Sequence, residues 1–190
     1  MKISRGFLAL LLIIAAIVGA VGVIVYSVGE RYTSTNAFCS SSCHSMSFMA
    51  ADPHFQKSAH RSNPQGVLAG CGECHIPTNN LFLETYTRAK LAMRDLVAEL
   101  THDYSNAKIW EARRAALEPE TLAALRRWDS SPCRNCHEAS AIQPKSDAGR
   151  QSHAALAQGG ITCVDCHTNL VHPPAASATQ AKAPSTEGAN

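Results

Sequence analysis

Four short cysteine–histidine motifs constrain this chain more than any other feature of its 190 residues. Three of them have two cysteines separated by two residues and followed directly by a histidine: Cys71–His75, Cys133–His137 and Cys163–His167. The first motif, Cys39–His44, has one extra residue between its cysteines. C-x-x-C-H is the attachment signature of covalent c-type haem, in which both thiols bond the porphyrin vinyl groups and the histidine ligates the iron. We therefore expect four haem c groups, attached through Cys39, Cys43, Cys71, Cys74, Cys133, Cys136, Cys163 and Cys166.

Disulfides and zinc sites also use paired cysteines, but neither needs a histidine directly after each pair. The chain has only nine histidines, so four such adjacencies by chance are very rare. In the first motif two arrangements stay open: both Cys39 and Cys43 bond the haem, or Cys43 alone does. The expected proximal ligands of the regular motifs are His75, His137 and His167.

Composition limits the partners and the compartment. Apart from Lys2 and Arg5, the chain carries equal numbers of basic and acidic residues, so no basic face for nucleic acid is expected. Aromatic residues make up only 6%, and bulky core residues are scarce. We expect the porphyrins to supply the missing core and the apoprotein not to fold. Covalent haem attachment takes place outside the bacterial cytoplasmic membrane, so the haem-bearing part is expected in the periplasm.

An uncharged apolar stretch over residues 7–28 predicts a membrane-spanning helix. The alternative is a cleaved signal peptide, whose apolar region is usually shorter. Lys2 and Arg5 place the N-terminus in the cytoplasm by the positive-inside rule. Small residues four apart, such as Ala15 and Gly19, permit oligomerisation through this anchor. The predicted domains are the cytoplasmic start and anchor (1–29), a periplasmic tetrahaem domain (30–172) and a disordered Ala/Pro/Ser-rich tail (173–190).

The remainder predicts a mainly α fold with essentially no β-sheet. Residues 81–101 follow a helical period, with Thr78 or Asn79 as the cap. Residues 106–128 predict a second helical stretch, broken at Pro119. We expect loops over 50–70 and 140–152, and a short helix that His153 opens and that ends at Gly159–Gly160.

Five histidines remain outside the motifs as candidate distal ligands: His54, His60, His102, His153 and His172. A haem with two histidine ligands carries electrons but leaves no iron position for a substrate. Met46 follows the first motif and is a second candidate ligand there, since thioether sulfur also ligates haem iron. His44 is the alternative to Met46.

Several further motifs accompany these features. They are Cys43-His-Ser-Met46, His60-x-x-Asn63-x-x-Gly66-Val67, Cys74-His-Ile-Pro77, a helix carrying Arg94-Asp95, and Cys163–His167 with His172 five residues later. With them the chain resembles the NapC/NirT/NrfH family of membrane-anchored multihaem quinol dehydrogenases over about residues 7–172. The three-residue spacer of the first motif departs from the family.

The resemblance implies roles for individual residues. His60, His153 and His172 match the distal ligands of the three regular haems, and Met46 matches the axial ligand of the first. Asp95 matches the carboxylate at the quinol site. A basic residue one to two turns earlier contacts quinol in the family; Lys90 and Arg88 both qualify, with Lys90 preferred. Ala98 stands where some relatives have a histidine, and His102 is an uncertain substitute, as is His54.

The implied function is oxidation of menaquinol or ubiquinol, with electrons passing through the haems to a periplasmic reductase for nitrite, nitrate or a similar acceptor. This is a quinol dehydrogenase activity within a respiratory system at the inner membrane. Two alternatives stay open: an electron-relay subunit without its own quinone site, and a subunit that passes electrons in reverse into the quinone pool. A haem-based sensor or structural subunit is a third class; a sensor would require an output domain, which the sequence does not show.

Overall fold

The computed structural model describes residues 4–156 and 158–175, which are mainly helical and contain no strand. The predicted fold class is therefore confirmed. The helices are α1 (Arg5–Thr33), α2 (Asn36–Ser41), α3 (His44–Ala51), α4 (Pro53–Lys57), α5 (Cys71–His75), α6 (Leu81–Thr101), α7 (Ala107–Arg127), α8 (Ser131–Arg134), α9 (Asp147–Leu156) and α10 (Cys163–Cys166). A short 3-10 helix covers Ala139–Ala141.

Helix α1 extends the predicted apolar segment at both ends. It begins after Ser4, whose hydroxyl accepts a hydrogen bond of 3.2 Å from the Phe7 N–H. Its 29 residues give a rise of about 43 Å. None of its residues is buried, and by length and composition it can cross a membrane.

Helix α6 covers the predicted residues 81–101, but a different residue caps it. The Asn80 side chain accepts a hydrogen bond of 2.9 Å from the Leu83 N–H. The prediction that Thr78 or Asn79 is the cap is therefore wrong. The Thr78 hydroxyl instead donates to the Ser131 carbonyl at 2.9 Å and ties the segment before α6 to α8.

Replacing Asn80 with alanine is expected to lower the free energy of unfolding by about 1 kcal/mol, because the Leu83 N–H loses its side-chain acceptor. The matched control is Asn79→Ala, which removes the neighbouring amide and leaves the cap intact. Denaturant midpoints of the two haem-loaded variants provide the measurement. Equal midpoints would contradict the assignment of Asn80 as the cap.

Helix α7 runs through Pro119 without interruption, so the predicted break there is wrong. A proline inside a helix removes one backbone hydrogen bond and crowds the preceding turn. Contacts on both sides of it compensate for this cost. Trp110 is buried before it, and Arg126 pairs with Asp165 of α10 at 2.6 Å after it. The Thr121 hydroxyl also donates to the Leu117 carbonyl at 3.1 Å beside the proline.

Helix α9 begins at Asp147, so the loop predicted over 140–152 is wrong from that residue, and His153 lies within the helix. The Ser146 hydroxyl accepts a hydrogen bond of 3.1 Å from the Gly149 N–H, as a helix cap does. Gly149 is required for packing rather than for a loop. A Cβ at this position would lie 2.9 Å from the Pro144 Cβ.

The region predicted as loop over 50–70 contains one short helix, α4, which Asp52 caps through the N–H groups of His54 and Phe55. The first residues of the predicted tail contact α7. Arg114 donates to the Pro173 carbonyl at 2.9 Å, and the Ala175 N–H donates to Glu118 at 2.9 Å. Residues 176–190, the rest of the predicted disordered tail, lie outside the described part of the chain.

The polypeptide itself provides a very small core. Among the described residues, the buried large apolar side chains are Ile76, Tyr104, Trp110 and Val164. The fully buried Ser130 links two haem motifs, since its hydroxyl accepts a hydrogen bond of 3.4 Å from the Val164 N–H of α10. A core this small leaves room between the helices for large apolar groups.

Candidate functional site

The four motifs differ in local structure, and in the third only Cys133 lies within a helix, α8. In α5 and α10, the two cysteines of the motif lie three residues apart on one helical turn, so their thiols share a face. In the first motif, Cys39 belongs to α2 and Cys43 precedes α3. The extra residue in this motif thus coincides with a break between two helices.

The attachment sites follow one another in chain order. The thiols of Cys39 and Cys71 share a hydrogen bond, which raises the pKa of Cys39 and lowers that of Cys71. Burial raises the pKa of Cys74 to about 11, and the nearby Cys133 thiol adds to the shift. Burial also raises the pKa of Cys133, and the nearby Cys163 thiol raises it further. The first motif therefore lies against the second, the second near the third, and the third against the fourth.

Three imidazole pairs connect distant parts of the chain. The ring centroids of His75 and His172 are 6.3 Å apart. The remaining two pairs are His60 with His137, at 6.0 Å, and His153 with His167, at 5.9 Å. Each pair joins one motif histidine to one of the candidate distal histidines.

These separations fit a haem iron. A metal bound to an imidazole nitrogen at about 2.0 Å on each side places the two ring centroids roughly 6 Å apart. The sparse protein core and the paired cysteines beside each motif histidine fit the porphyrin as well. The residues of the three regular motifs thus suit haem c, and the number of four stays a prediction.

A hydrogen bond orients one of the distal rings, and a ring contact orients another. The Nδ1–H of His153 donates to the Gly149 carbonyl at 2.8 Å, which leaves Nε2 with a lone pair for a metal. Burial lowers the pKa of His172 to about 4, and the charge of the nearby His75 ring adds to this shift. Its ring stacks on Phe55 at 5.6 Å. His172 is therefore neutral at physiological pH, the form that binds metal.

The two uncertain histidines make contacts of a different kind. His54 Nε2 donates to the Asn169 carbonyl at 3.1 Å, so it holds the loop that carries His172. His102 is exposed, stacks on Tyr104, and its Nδ1 lies 3.2 Å from the Ala98 carbonyl. Neither ring is paired with a motif histidine among the described contacts.

Helix α6 lies beside the first motif. Burial raises the pKa of Cys43, and the negative charges of Glu99 and Asp95 raise it further. Glu99 also accepts hydrogen bonds from the backbone N–H, at 3.2 Å, and the hydroxyl of Ser45. Met46 is half-buried in the same helix α3. The His44 side chain lies outside the described structure, so its role as the alternative ligand stays a prediction.

Glu99 is a carboxylate that the sequence reasoning missed. It follows Asp95 by four residues, so both side chains project from one face of α6. That spacing, together with the proximity of Asp95 to the first motif, was the available signal.

The two candidate basic residues occupy different positions on α6. Arg88 precedes Asp95 by seven residues, about two turns, and shares its face. Its guanidinium pairs with Glu84 at 3.0 Å and Glu30 at 3.3 Å, and donates to Ser34 at 2.7 Å. Lys90 precedes Asp95 by five residues and lies about 140° around the helix. It lines an open groove of about 560 Å³ with Tyr86, Ala89, Met93, Arg94 and Val97.

Comparison with known proteins gives consistent results. A model of the NapC/NirT cytochrome c family, N-terminal region, matches residues 1–177. The chain is 37% identical to a probable tetraheme cytochrome c-type protein of Nitrosomonas europaea, over 90% of this chain and 71% of that protein. It is 35% identical to the cytochrome c-type protein TorY of Escherichia coli O157:H7, over 87% of this chain and 44% of TorY.

A further relative is the cytochrome c-type protein NapC of Haemophilus influenzae, 30% identical over 90% of this chain and 84% of NapC. The chain thus spans most of NapC but less than half of TorY. No solved structure matches the chain.

Proposed function

The chain belongs to the NapC/NirT cytochrome c family, and from this premise we propose that it oxidises membrane quinol and delivers the electrons to a periplasmic reductase. One observation carries the proposal: the first motif lies between the end of the apolar helix α1 and the Asp95-bearing face of α6. An electron donor dissolved in the bilayer would meet the protein there.

The three imidazole pairs support a relay. We assign His75 with His172, His137 with His60, and His167 with His153 as the residues that would hold the second, third and fourth haems. When bound, the haems would supply one-electron transfer. Two histidines at each of these three sites would leave no iron position for a substrate. The site that differs is the first motif, where Met46 is the proposed ligand.

The side chains around the first motif suit quinol. Oxidation releases two electrons and two protons, so a site needs a proton acceptor and a donor that holds a quinol oxygen. Asp95 is the proposed proton acceptor, because an ionised carboxylate can take a proton directly or through one water. A positive charge on the same helical face would hold a quinol oxygen, and Arg88 meets this condition. Lys90, about 140° around the helix from Asp95, remains a predicted contact of quinol.

We propose the topology expected for this family. Residues 1–29 hold the N-terminus at the cytoplasmic side and α1 in the inner membrane, and residues 30–172 form the periplasmic haem domain. The acceptor is a periplasmic reductase or cytochrome complex. Reduction of the purified protein by quinol separates this proposal from a relay subunit without its own quinone site.

The proposed quinol site is tested by Asp95→Asn. We expect reduction of the haems by menaquinol to slow by about tenfold or more, with an unchanged haem spectrum, since the amide cannot accept the proton. We expect the slowing to be close to tenfold, because the Asp95 side chain is 56% exposed and water can partly replace the carboxylate as proton acceptor. Stopped-flow absorbance of the protein in detergent provides the rate.

The matched control is Asp103→Asn, an exposed carboxylate just beyond α6 whose local hydrogen bond to the Ser105 N–H an amide can keep. It should reduce at the rate of the unmodified protein. Equal rates for the Asp95 variant and this control would remove Asp95 from the quinol site.

A further inference from the structure

Helix α6 has a continuous apolar face that the described protein leaves uncovered. Phe82 is 85% exposed and Leu100 is 77% exposed at the two ends of this face. Between them, Tyr86, Met93 and Val97 are each at least half exposed. A contiguous exposed apolar patch of several large side chains usually marks a surface that contacts a partner or a membrane.

A haem attached to the first motif cannot cover this face. The motif lies on the side of α6 that carries Asp95 and Glu99, as the raised pKa of Cys43 and the Ser45 hydrogen bond indicate. Tyr86 precedes Asp95 by nine residues, which is two and a half turns and about 180° around the helix. The apolar face therefore points away from the haem side.

The first turns of α6 lie at the level of the membrane-spanning segment. The hydroxyls of Tyr26 and Thr85 are 3.4 Å apart, and Arg88 contacts Glu30 and Ser34 beyond the apolar stretch of α1. Residue numbers thus rise in the same direction along both helices. Phe82, one turn before Thr85, is placed as deep as Tyr26 or deeper, within the apolar length of α1.

The charges on α6 are segregated in a way that suits a lipid surface. Its acidic residues lie on the other side of the helix: Glu84 pairs with Arg88, and Asp95 and Glu99 lie near the first motif. Lys90 lies beside the exposed apolar face, whereas Arg94 pairs with Asp95 at 3.1 Å. Basic residues beside an apolar helix face can reach lipid phosphates while their stems stay in contact with acyl chains.

From these four observations we propose that the apolar face of α6 inserts into the outer surface of the membrane, with Phe82 among the acyl chains and Lys90 at the phosphates. The inference rests on α1 spanning the bilayer. The membrane would then hold the haem domain at two points and fix the first motif at a constant height above the acyl chains. Such a constraint would also keep the groove beside Lys90 open to the lipid phase.

The test places photoreactive benzoylphenylalanine at single positions of the full haem-loaded protein in nanodiscs of phosphatidylethanolamine and phosphatidylglycerol. Position 82 reports on the proposed face. Position 120, on α7, is the aqueous control because Glu120 is 70% exposed. Position 14, in α1, is the control for the bilayer span. After irradiation, mass spectrometry counts lipid adducts on the corresponding peptides.

We expect lipid adducts at position 82 about tenfold above those at position 120, and comparable to those at position 14. Adducts at position 14 but not at 82 would overturn the inference while leaving the anchor in place. Crosslinks from position 82 to a second copy of the chain would also overturn it, in favour of a protein interface. No adducts at position 14 would reject the membrane-spanning role of α1 itself and with it the inference.

Discussion

Replacing His172 with alanine is expected to convert one of the four haems from a six-coordinate low-spin state to a five-coordinate high-spin state. Its ring lies 6.3 Å from the ring of His75, and no other described imidazole is paired with that motif histidine. The surrounding side chains cannot replace it, because Phe55 offers no ligand and His54 is bonded to the Asn169 carbonyl. About a third of the ferric low-spin signal from the three histidine-paired sites should therefore be lost.

Electron paramagnetic resonance of the oxidised protein measures this change, and binding of carbon monoxide to the reduced protein measures the vacated iron position. Transfer of electrons from the first motif toward the fourth should slow sharply, because the altered haem is the second of the series. A substitution that only loosened the fold would change several haems together rather than one.

The matched control is His54→Ala, which removes a neighbouring imidazole that the structure places outside the three pairs. It should leave the low-spin signal of the three histidine-paired sites unchanged, although the loop near Asn169 loses a hydrogen bond and the protein becomes slightly less stable. If His54→Ala gave the high-spin signal and His172→Ala did not, the assignment of the ligand would have to be exchanged between them.

The family resemblance named these histidines as candidate ligands, but it did not predict which motif histidine each one lies beside. His172 follows the fourth motif but lies beside the histidine of the second, and His60 precedes the second motif but lies beside that of the third. Only His153 lies beside the motif that follows it directly. Such crossed pairs depend on how α5, α8 and α10 pack, and no local pattern encodes that packing.

The long helices were predictable because each has a strong period or a long apolar run. The wrong helix predictions arose at residues that are compatible with more than one local structure. Pro119 usually starts or breaks a helix, yet packing on both sides keeps it inside α7. Gly149 usually indicates a loop, yet here it allows α9 to pass close to Pro144. In both cases a tertiary contact outweighed the local preference.

The choice between two basic residues shows what helix geometry adds to motif reasoning. The resemblance required only a basic residue one to two turns before Asp95, and Lys90 was preferred. In the folded helix, Arg88 shares the face of Asp95, and its side chain is only 26% exposed. Lys90 lies about 140° around the helix from Asp95, beside the groove that we place toward lipid. The position of Arg88 therefore favours it as the residue that holds a quinol oxygen next to Asp95.

We accordingly expect Arg88→Gln to slow menaquinol oxidation by about 100-fold and Lys90→Gln by less than about tenfold. A charged hydrogen bond to a reacting oxygen contributes about 2–3 kcal/mol, and water cannot replace a fixed positive charge in a half-buried position. Steady-state kinetics with a soluble menaquinol analogue separate kcat from KM for each variant. A larger loss for Lys90→Gln than for Arg88→Gln would reverse the assignment.

Arg88 also joins α6 to α1, so its structural role needs its own control. Glu30→Gln removes the ion pair of 3.3 Å between these helices but leaves the guanidinium in place. If Arg88 acts only by joining the helices, Glu30→Gln should reproduce much of the kinetic loss. If Arg88 holds the quinol, Glu30→Gln should keep nearly full activity, since Glu84 and Ser34 still position the guanidinium beside the face that carries Asp95.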